Sequence, residues 1–507
     1  MKLKNIINTL SLAAVALVAT GCQDTDAQVD IKNVDAPKLV STSLTEEKPI
    51  FFGETTIKVA FDKNIGFATK NAGQVTINGE PVDKALVVGI SNALTVTKTL
   101  PFCNELRLHV PAGVIVGPQG KTYDQAIDTT FTVKAMPSNN ATAMTTTLGW
   151  GWNLGNHFDT SDMTWGYWDG VASADIAPFT ALAGVGAKTV RIPATWTNHM
   201  DANNVIDAAY LDEVAGVVDK AIAAGLNVIL NTHHDSFEND LGNAAADPDV
   251  AKKDSTLIAD LWKQVATKFA NYSEKLIFET FNEVHAGDNW SGATDAEYAL
   301  LNQWNQYAVD AIRSVAGNET RWIGVAGYAA NIDMTVDHLV LPTDPANRIM
   351  VGVHCYDPYN FCLSIYDDAG NSIYGAEWGH AADPSGAQEL AVINQLYKLR
   401  KKYIENNIPC YLGEFGCVWK NSDYENAFRR YYLEFFCRAA YLAGIPMFVW
   451  DNNAKNSGNE ANGYVDHQTG AWLNDSEEMV PTMIKACTST DASYSFDDIW
   501  NSSPAVE

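Results

Sequence analysis

Seven short apolar runs in the sequence end abruptly in polar and aromatic residues, and those endings hold the side chains that could do chemistry. They are Trp152-Asn153-Leu154-Gly155-Asn156, Arg191-Ile192-Pro193, His233-His234-Asp235, Asn282-Glu283, His354-Cys355-Tyr356, Glu414-Phe415-Gly416 and Trp450-Asp451-Asn452. Two of these endings carry a glutamate, Glu283 and Glu414. A pair of carboxyl groups facing one acetal carbon can break a glycosidic bond. One protonates the departing oxygen; the other attacks the carbon when the two lie about 5–5.5 Å apart. A lone glutamate at a loop start is ordinarily a solvated surface residue, but two with such neighbours make a candidate acid and nucleophile. His233 and His234 beside Asp235 invite a metal reading. Adjacent residues of a strand point to opposite faces, however, so joint chelation is not expected, and no metal or cofactor is assigned. No lysine ends any of the runs, which argues against a Schiff-base lyase or aldolase.

These endings need a common frame. Candidate strands at 149–154, 187–192, 226–231, 276–281, 321–326, 349–354, 409–413 and 445–450 alternate with helical stretches. One such stretch, Leu211 to Ala224, sets Leu211, Val214, Val217, Val218 and Ile222 on one face. Eight short apolar strands alternating with helices predict an α/β fold, a (β/α)8 barrel whose site lies at the C-terminal strand ends. The fourth and seventh strands then sit across the mouth from each other, so Glu283 and Glu414 can face one bound sugar. Trp450, and more loosely Trp152, Trp196, Trp290, Trp378 and Trp419, are candidates to stack on apolar sugar faces and extend a cleft. His157, Asn153, Asn156 and Asn452 are within reach of sugar hydroxyls on this reading.

Residues 36–135 follow another rhythm. Thr56-Ile57-Lys58-Val59-Ala60-Phe61, Val75 to Gly79, Leu94 to Thr97, Leu106 to Val110 and Thr129 to Val133 are short alternating runs parted by Gly, Pro, Asn and Asp. That pattern predicts a small all-β sandwich, and it resembles bacterial Ig-like modules in TIKVAFDKNI, VTINGEPV and LRLHVPAGVIVGPQGKTY. With no Trp, it is expected to be a spacer rather than a sugar-binding platform. Residues 136–146 read as a polar linker, 147–490 as the barrel and 491–507 as a C-terminal tail.

The barrel segments GWGWNLGN, VRIPATW, VILNTHHD, FETFNEVH, VGVHCYDPYNF, YLGEFG and FVWDN, in that order, closely resemble glycoside hydrolase family 5, most like its subfamily 4. The resemblance implies a retaining endo-acting hydrolase of β-1,4-glucan backbones such as xyloglucan, mixed-linkage glucan or cellulose. It implies that Glu283 is the acid/base and Glu414 the nucleophile. Asn282 would bind the 2-hydroxyl of the cleaved sugar, and Arg191 and Tyr356 would hold Glu414. His233, His234, His354, Trp450 and Asn156 would line the substrate. Val284 and Cys355 stand where many relatives have proline and an aromatic ring; neither position carries the chemistry. A β-mannanase or xylanase on the same barrel is the alternative enzyme reading. A non-catalytic glycan-binding protein is the alternative outside catalysis, and it predicts the loss of one glutamate, whereas both are present.

The formal net charge of -27 among 507 residues argues against a nucleic-acid partner and suits a neutral polysaccharide, acted on by a monomer. Residues 1–21 read as a lipoprotein signal peptide: a basic start, an apolar run, then Ala19-Thr20-Gly21-Cys22. Cys22 is the expected lipidation point and 22–35 an acidic leash, which predicts an outer-membrane lipoprotein at the cell surface. The other cysteines, Cys103, Cys355, Cys362, Cys410, Cys417, Cys437 and Cys487, are odd in number, lack metal-ligand spacing and are expected to be buried thiols.

Overall fold

The structure, a computed structural model, describes residues 35–48, 50–161, 167–367, 371, 375–491 and 493–507. The expected signal peptide, the expected lipidation point at Cys22 and most of the expected acidic leash lie outside these residues. Among the described residues no helix is long and apolar enough to cross a membrane. The chain divides into two compact units. One comprises Glu54–Leu100 and Glu105–Thr132 with the chain before Lys48; the other comprises Lys48–Gly53, Pro101–Asn104 and everything from Val133 onward.

The first unit holds two antiparallel sheets, the arrangement of an Ig-like sandwich. In one, β1 (Leu39–Leu44), β2 (Phe51–Phe67), β6 (Ser91–Cys103) and β5 (Lys84–Leu86) lie side by side, the first three residues of β2 and the last three of β6 being counted with the second unit, and β8 (Ile115–Val116) also pairs with β2. In the other the order is β4 (Glu80–Pro81), β3 (Thr76–Ile77), β7 (Glu105–Val110) and β9 (Ile127–Thr132). The expected alternation holds: Ile57, Val59 and Phe61 are buried on β2, and Leu106, Leu108 and Val110 on β7.

The second unit is a closed parallel barrel. Its strands are β10 (Trp150–Asn153), β11 (Thr189–Ile192), β12 (Asn227–Asn231), β13 (Leu276–Glu279), β14 (Ile323–Asn331), β15 (Ile349–Cys355), β16 (Cys410–Phe415) and β17 (Met447–Val449). Each predicted strand is present. Helix Ala208–Ala223 follows β11 and buries Val214, Val217 and Val218, as its periodicity predicts.

Two boundaries differ from expectation. The segment read as linker 136–146 runs into a helix, Asn140–Leu148, closed by a reciprocal capping box between Asn139 and Thr142. Its threonines return their hydroxyls to the helix carbonyls one turn back, which hides the helix in a polar composition. Only Ala141, Met144 and Leu148 are buried, spaced as one helical face. The presumed tail also contains a helix, Phe496–Asn501, which starts on a capping box at Ser495 and buries Phe496 and Ile499 in the barrel unit's core.

The barrel interior is layered by the two-residue period of its strands. At the N-terminal end Ile229, Ile277, Met350, Tyr411 and Phe448 converge with Trp322, Met144 and Leu148 in one apolar cluster, so the Asn140–Leu148 helix seals the floor. Two residues further along, the inward positions are Asn231 on β12 and Glu279 on β13, which pair with each other; Asn153 on β10 pairs with Arg191 on β11, whose long side chain reaches Glu279. Apolar floor thus gives way to charge within one strand step.

Candidate active site

Arg191 is the hub of the polar layer. It is fully buried, so every one of its donors needs an acceptor. Nη1 donates to Glu414 Oε1 at 2.7 Å and to Asn153 Oδ1 at 3.1 Å. Nη2 donates to Glu279 Oε1 and Asn282 Oδ1, each at 2.7 Å, and Nε donates to Glu279 at 3.0 Å. Burial opposes its charge, but Glu279 and Glu414 outweigh that and raise its pKa. Glu279 also accepts from Asn231 at 3.0 Å and from Tyr411 Oη at 2.6 Å.

Glu414 reaches the mouth through an irregularity in its strand. Tyr411 faces inward, so strict alternation would turn Glu414 outward. The β15–β16 pairing slips between Val353 and His354, which places His354 beside Glu414 instead of Gly413, and the β16–β17 pairing slips between Leu412 and Phe415. Such bulges re-aim side chains. Gly413 is required here: a Cβ would lie 2.9 Å from His354 Nε2. Tyr356 Oη donates to Glu414 Oε2 at 2.9 Å, and Arg191 holds Oε1. Burial would raise the Glu414 carboxyl, but His354, Arg191 and Tyr356 hold it below the usual range. The Tyr356 phenol is pushed up by burial and by Glu414 and Glu283, so it stays a donor.

Glu283 stands beyond the end of β13, its side chain 22% exposed. His354 Nδ1 lies 2.6 Å from Glu283 Oε1 and 3.8 Å from Glu414 Oε2. Burial alone would lower the His354 pKa, but the two glutamates raise it. One carboxylate oxygen from each of Glu283 and Glu414 and one ring nitrogen of His354 lie within 4.8 Å of one another. The carboxylates are therefore close enough to share one reacting carbon.

The remaining predicted residues fall into two groups. Asn282 joins the network, its Oδ1 on Arg191. His233 is buried beside Asp159, with its ring parallel to Trp450 at 5.9 Å between centroids. Burial and the neighbouring cations push the His233 pKa well down, so it is neutral. Trp450 is 8% exposed at the mouth. His234 contradicts the opposite-faces expectation: its ring meets that of His233 at 4.4 Å. The reason is that β12 ends at Asn231, so strand alternation no longer applies two residues on.

Asn156, Asn153, His157 and Asn452 serve the framework instead. Asn156 adopts a left-handed backbone (φ 59°); its N–H donates to Asp159 and its carbonyl accepts from Asp169. Among the described residues no contact joins it to the carboxylate pair. Asn153 donates to three strand carbonyls, His157 is buried against Asp169, and Asn452 ties the loop after β17 to Glu460. Trp152, Trp196, Trp378 and Trp419 are buried and do not extend a cleft; Trp290, stacked on His285, is 53% exposed. Among the described residues no disulfide is formed, and Cys103 and Cys487 are only half-buried.

Sequence reasoning missed Glu279 and Glu238. Glu279 had a signal: a charge inside an apolar strand, like Arg191, requires a buried partner. Glu238 lay in a loop with no pattern. It also missed a buried clamp beneath Trp450, where His467 bridges Asp169 at 2.9 Å and Asp451 at 3.2 Å. Asp451 Oδ2 there accepts from Trp152 Nε1 at 2.7 Å.

Comparison with known proteins agrees with this geometry. The model of the cellulase family, glycosyl hydrolase family 5, matches residues 153–456. Endoglucanase A of Clostridium longisporum is 32% identical over 357 residues, 67% of this chain and 65% of that protein, so the match spans just under two thirds of its length. Endoglucanase A of Paenibacillus barcinonensis is 32% identical over 350 residues, covering 62% of this chain and 84% of that one. A Bacteroidetes-affiliated GH5 cellulase linked with a polysaccharide utilization locus superposes with a TM-score of 0.67 at 36% identity, covering 73% of this chain and 98% of that one. A GH5-4 broad specificity endoglucanase from Bacteroides salanitronis gives 0.62 at 38% identity, covering 70% and 96%.

Proposed function

This chain belongs to glycosyl hydrolase family 5, and from that membership and the geometry above we propose that it is a retaining endo-hydrolase of β-1,4-linked glucan backbones, among xyloglucan, mixed-linkage glucan and cellulose. The observation that carries the proposal is the spacing of Glu283 and Glu414, which have a pair of carboxylate oxygens within 4.8 Å of each other. Retaining enzymes hold their carboxyls about 5–5.5 Å apart, inverting ones about 6.5–9.5 Å to admit a water between them.

The two carboxyls differ as double displacement requires. Glu414 is kept ionised by Arg191 and Tyr356 and is the nucleophile. Glu283, partly exposed beside His354, is the group that gives and regains the proton. In the first step a Glu414 oxygen bonds to the anomeric carbon, the bond to the leaving oxygen breaks, and that oxygen takes the Glu283 proton. In the second, Glu283 takes a proton from water, the water oxygen bonds to the same carbon, and Glu414 departs. One water is consumed and both groups return to their first state. Asn282, turned by Arg191, keeps an amide proton for the sugar 2-hydroxyl, and Trp450 offers a ring face for stacking.

The test is reducing-sugar release from barley glucan, xyloglucan, carboxymethyl cellulose, galactomannan and arabinoxylan, with the first anomer formed read by NMR. Expected are release from the glucans, β-anomer first, and loss of turnover in Glu414→Ala. α-Anomer first overturns retention; preference for galactomannan or arabinoxylan overturns the substrate class; binding without release makes this a glycan-binding protein. Lipid-anchored export is proposed from residues 1–22 alone, and Cys22→Ala should move the protein out of the membrane fraction.

A further inference from the structure

We propose that Glu238 is a positioning residue for the acid/base: its carboxylate fixes the main chain of Glu283 and the amide of Asn282, and pairs with His234. This rests on the assignment of Glu283 as the acid/base. The two catalytic carboxyls are held very differently. Glu414 sits within β16, gripped by Arg191 and Tyr356. Glu283 lies four residues past the end of β13, and its side chain pairs with His354. Proton delivery is sensitive to such slack, since a misplacement of about 1 Å can slow a step about 100-fold.

The loop after β12 supplies the missing constraint. Glu238 is 3% exposed, so its oxygens need donors. Oε1 accepts from the Glu283 main-chain N–H at 3.0 Å and from Asn282 Nδ2 at 3.2 Å. Oε2 lies 3.1 Å from His234 Nδ1. The backbones run together as well: the carbonyl of Glu238 accepts from His285 and that of Asn239 from Gly287. Phe237 roots this loop against Phe281 and Trp304. Burial would discharge His234, but Glu238, Asp159 and Glu283 lift its pKa to about 9, so its ring nitrogen carries a proton toward Glu238 at neutral pH. One carboxylate thus aligns the main chain of the acid/base and the amide nitrogen of Asn282, whose oxygen Arg191 holds.

Misplacing a general acid matters most when the leaving group is poor, because an activated leaving group departs without a proton. A merely structural carboxylate would show no such selectivity. The experiment compares kcat/KM, which reports the first displacement, on phenyl and 2,4-dinitrophenyl β-cellobiosides. Glu238→Ala should lose about 10- to 100-fold on the phenyl glycoside and less than about threefold on the dinitrophenyl one, a part of the 10²–10⁴ that general acid catalysis contributes. Glu238→Gln, whose carbonyl can take the Oε1 place, should restore most of the phenyl rate. If Glu238→Ala is insoluble, Glu238→Asp, which withdraws the acceptor by one methylene, should show the same selectivity more weakly. Glu283→Ala is the control. If it lacks the selectivity, the acid/base assignment fails. If it has the selectivity and the Glu238 variants slow both glycosides equally or neither, the positioning role is overturned.

Discussion

The floor and the mouth of the barrel come from the same strands, one or two residues apart, and are built on opposite principles. The floor is apolar: Ile229, Ile277, Met350, Phe448 and the ring of Tyr411 close over Met144 and Leu148, and burial and packing hold these side chains there. The mouth is charged: Arg191, Glu279 and Glu414 are all buried, and each is tolerable only because the others are present. What joins them is Tyr411, whose ring lies in the floor cluster and whose hydroxyl donates to Glu279. The difference teaches that a hydrolase can keep its stability and its reactivity on separate layers of one fold. It also says where that separation should fail.

The largest effect expected is at Glu279. Glu279→Ala strips Arg191 of a buried counter-ion while leaving Glu414 in place. Breaking such a pair costs about 3–5 kcal/mol, and Arg191 freed from it no longer orients Asn282 and Glu414. Denaturant unfolding should show that loss, and kcat should fall with it, although Glu279 touches no substrate. Normal kcat in a destabilised variant would mean that the mouth does not act as a unit.

Next is the floor. Leu148→Ala removes a buried side chain from the seal and should cost about 3 kcal/mol. Because the Leu148 side chain meets only the apolar floor, and its carbonyl, which accepts from Thr189, survives the change, kcat should remain within about twofold of the parent at temperatures where the variant is folded. A drop in kcat would show that the floor transmits to the mouth.

How much of this was legible follows the same division. The strands and their polar endings were readable because apolar runs and punctuation are local. The sealing helix was not, because its threonines satisfy their hydroxyls on their own backbone and resemble a linker. Glu414 and Glu283 were found through their neighbours, while Glu279 and Glu238 act through partners 88 and 45 residues away in the chain. His233 and His234 were placed on opposite faces by a strand rule that stops where the strand stops.

A third effect depends on pH. His467 sits between Asp169 and Asp451; burial would lower its pKa, but the carboxylates raise it from 6.5 to about 9. A group whose folded pKa is raised contributes stability fully below its unfolded value, here pH 6.5, and loses it as the pH climbs through about 9. The shift corresponds to at most about 3 kcal/mol. Asp169, which burial would raise but its histidine partners hold below the usual carboxylate range, stays ionised across that window. Unfolding free energies of the parent and of His467→Gln should therefore converge between pH 6.5 and 9. A constant difference would show that His467 contributes through packing rather than charge.

The smallest change tests the joint between the layers. Tyr411→Phe keeps the ring that packs against Phe448 in the floor and deletes only the hydroxyl that reaches Glu279 Oε2. Glu279 retains Arg191 and Asn231 on Oε1, so its charge remains compensated. What is lost is one hydrogen bond to a charged acceptor, about 1.5–3 kcal/mol at the outside and less if water reaches the gap. Because Gly324 and Gly352 leave the Tyr411 hydroxyl just enough room, the site left behind is narrow. If the layers are independent apart from this contact, the variant should lose stability without any change in kcat. If the hydroxyl instead sets the tilt of Glu279, and through it Arg191, kcat should fall by more than the Leu148→Ala variant shows. The ratio of the two kcat values separates these outcomes, since one substitution empties floor volume and the other leaves it intact.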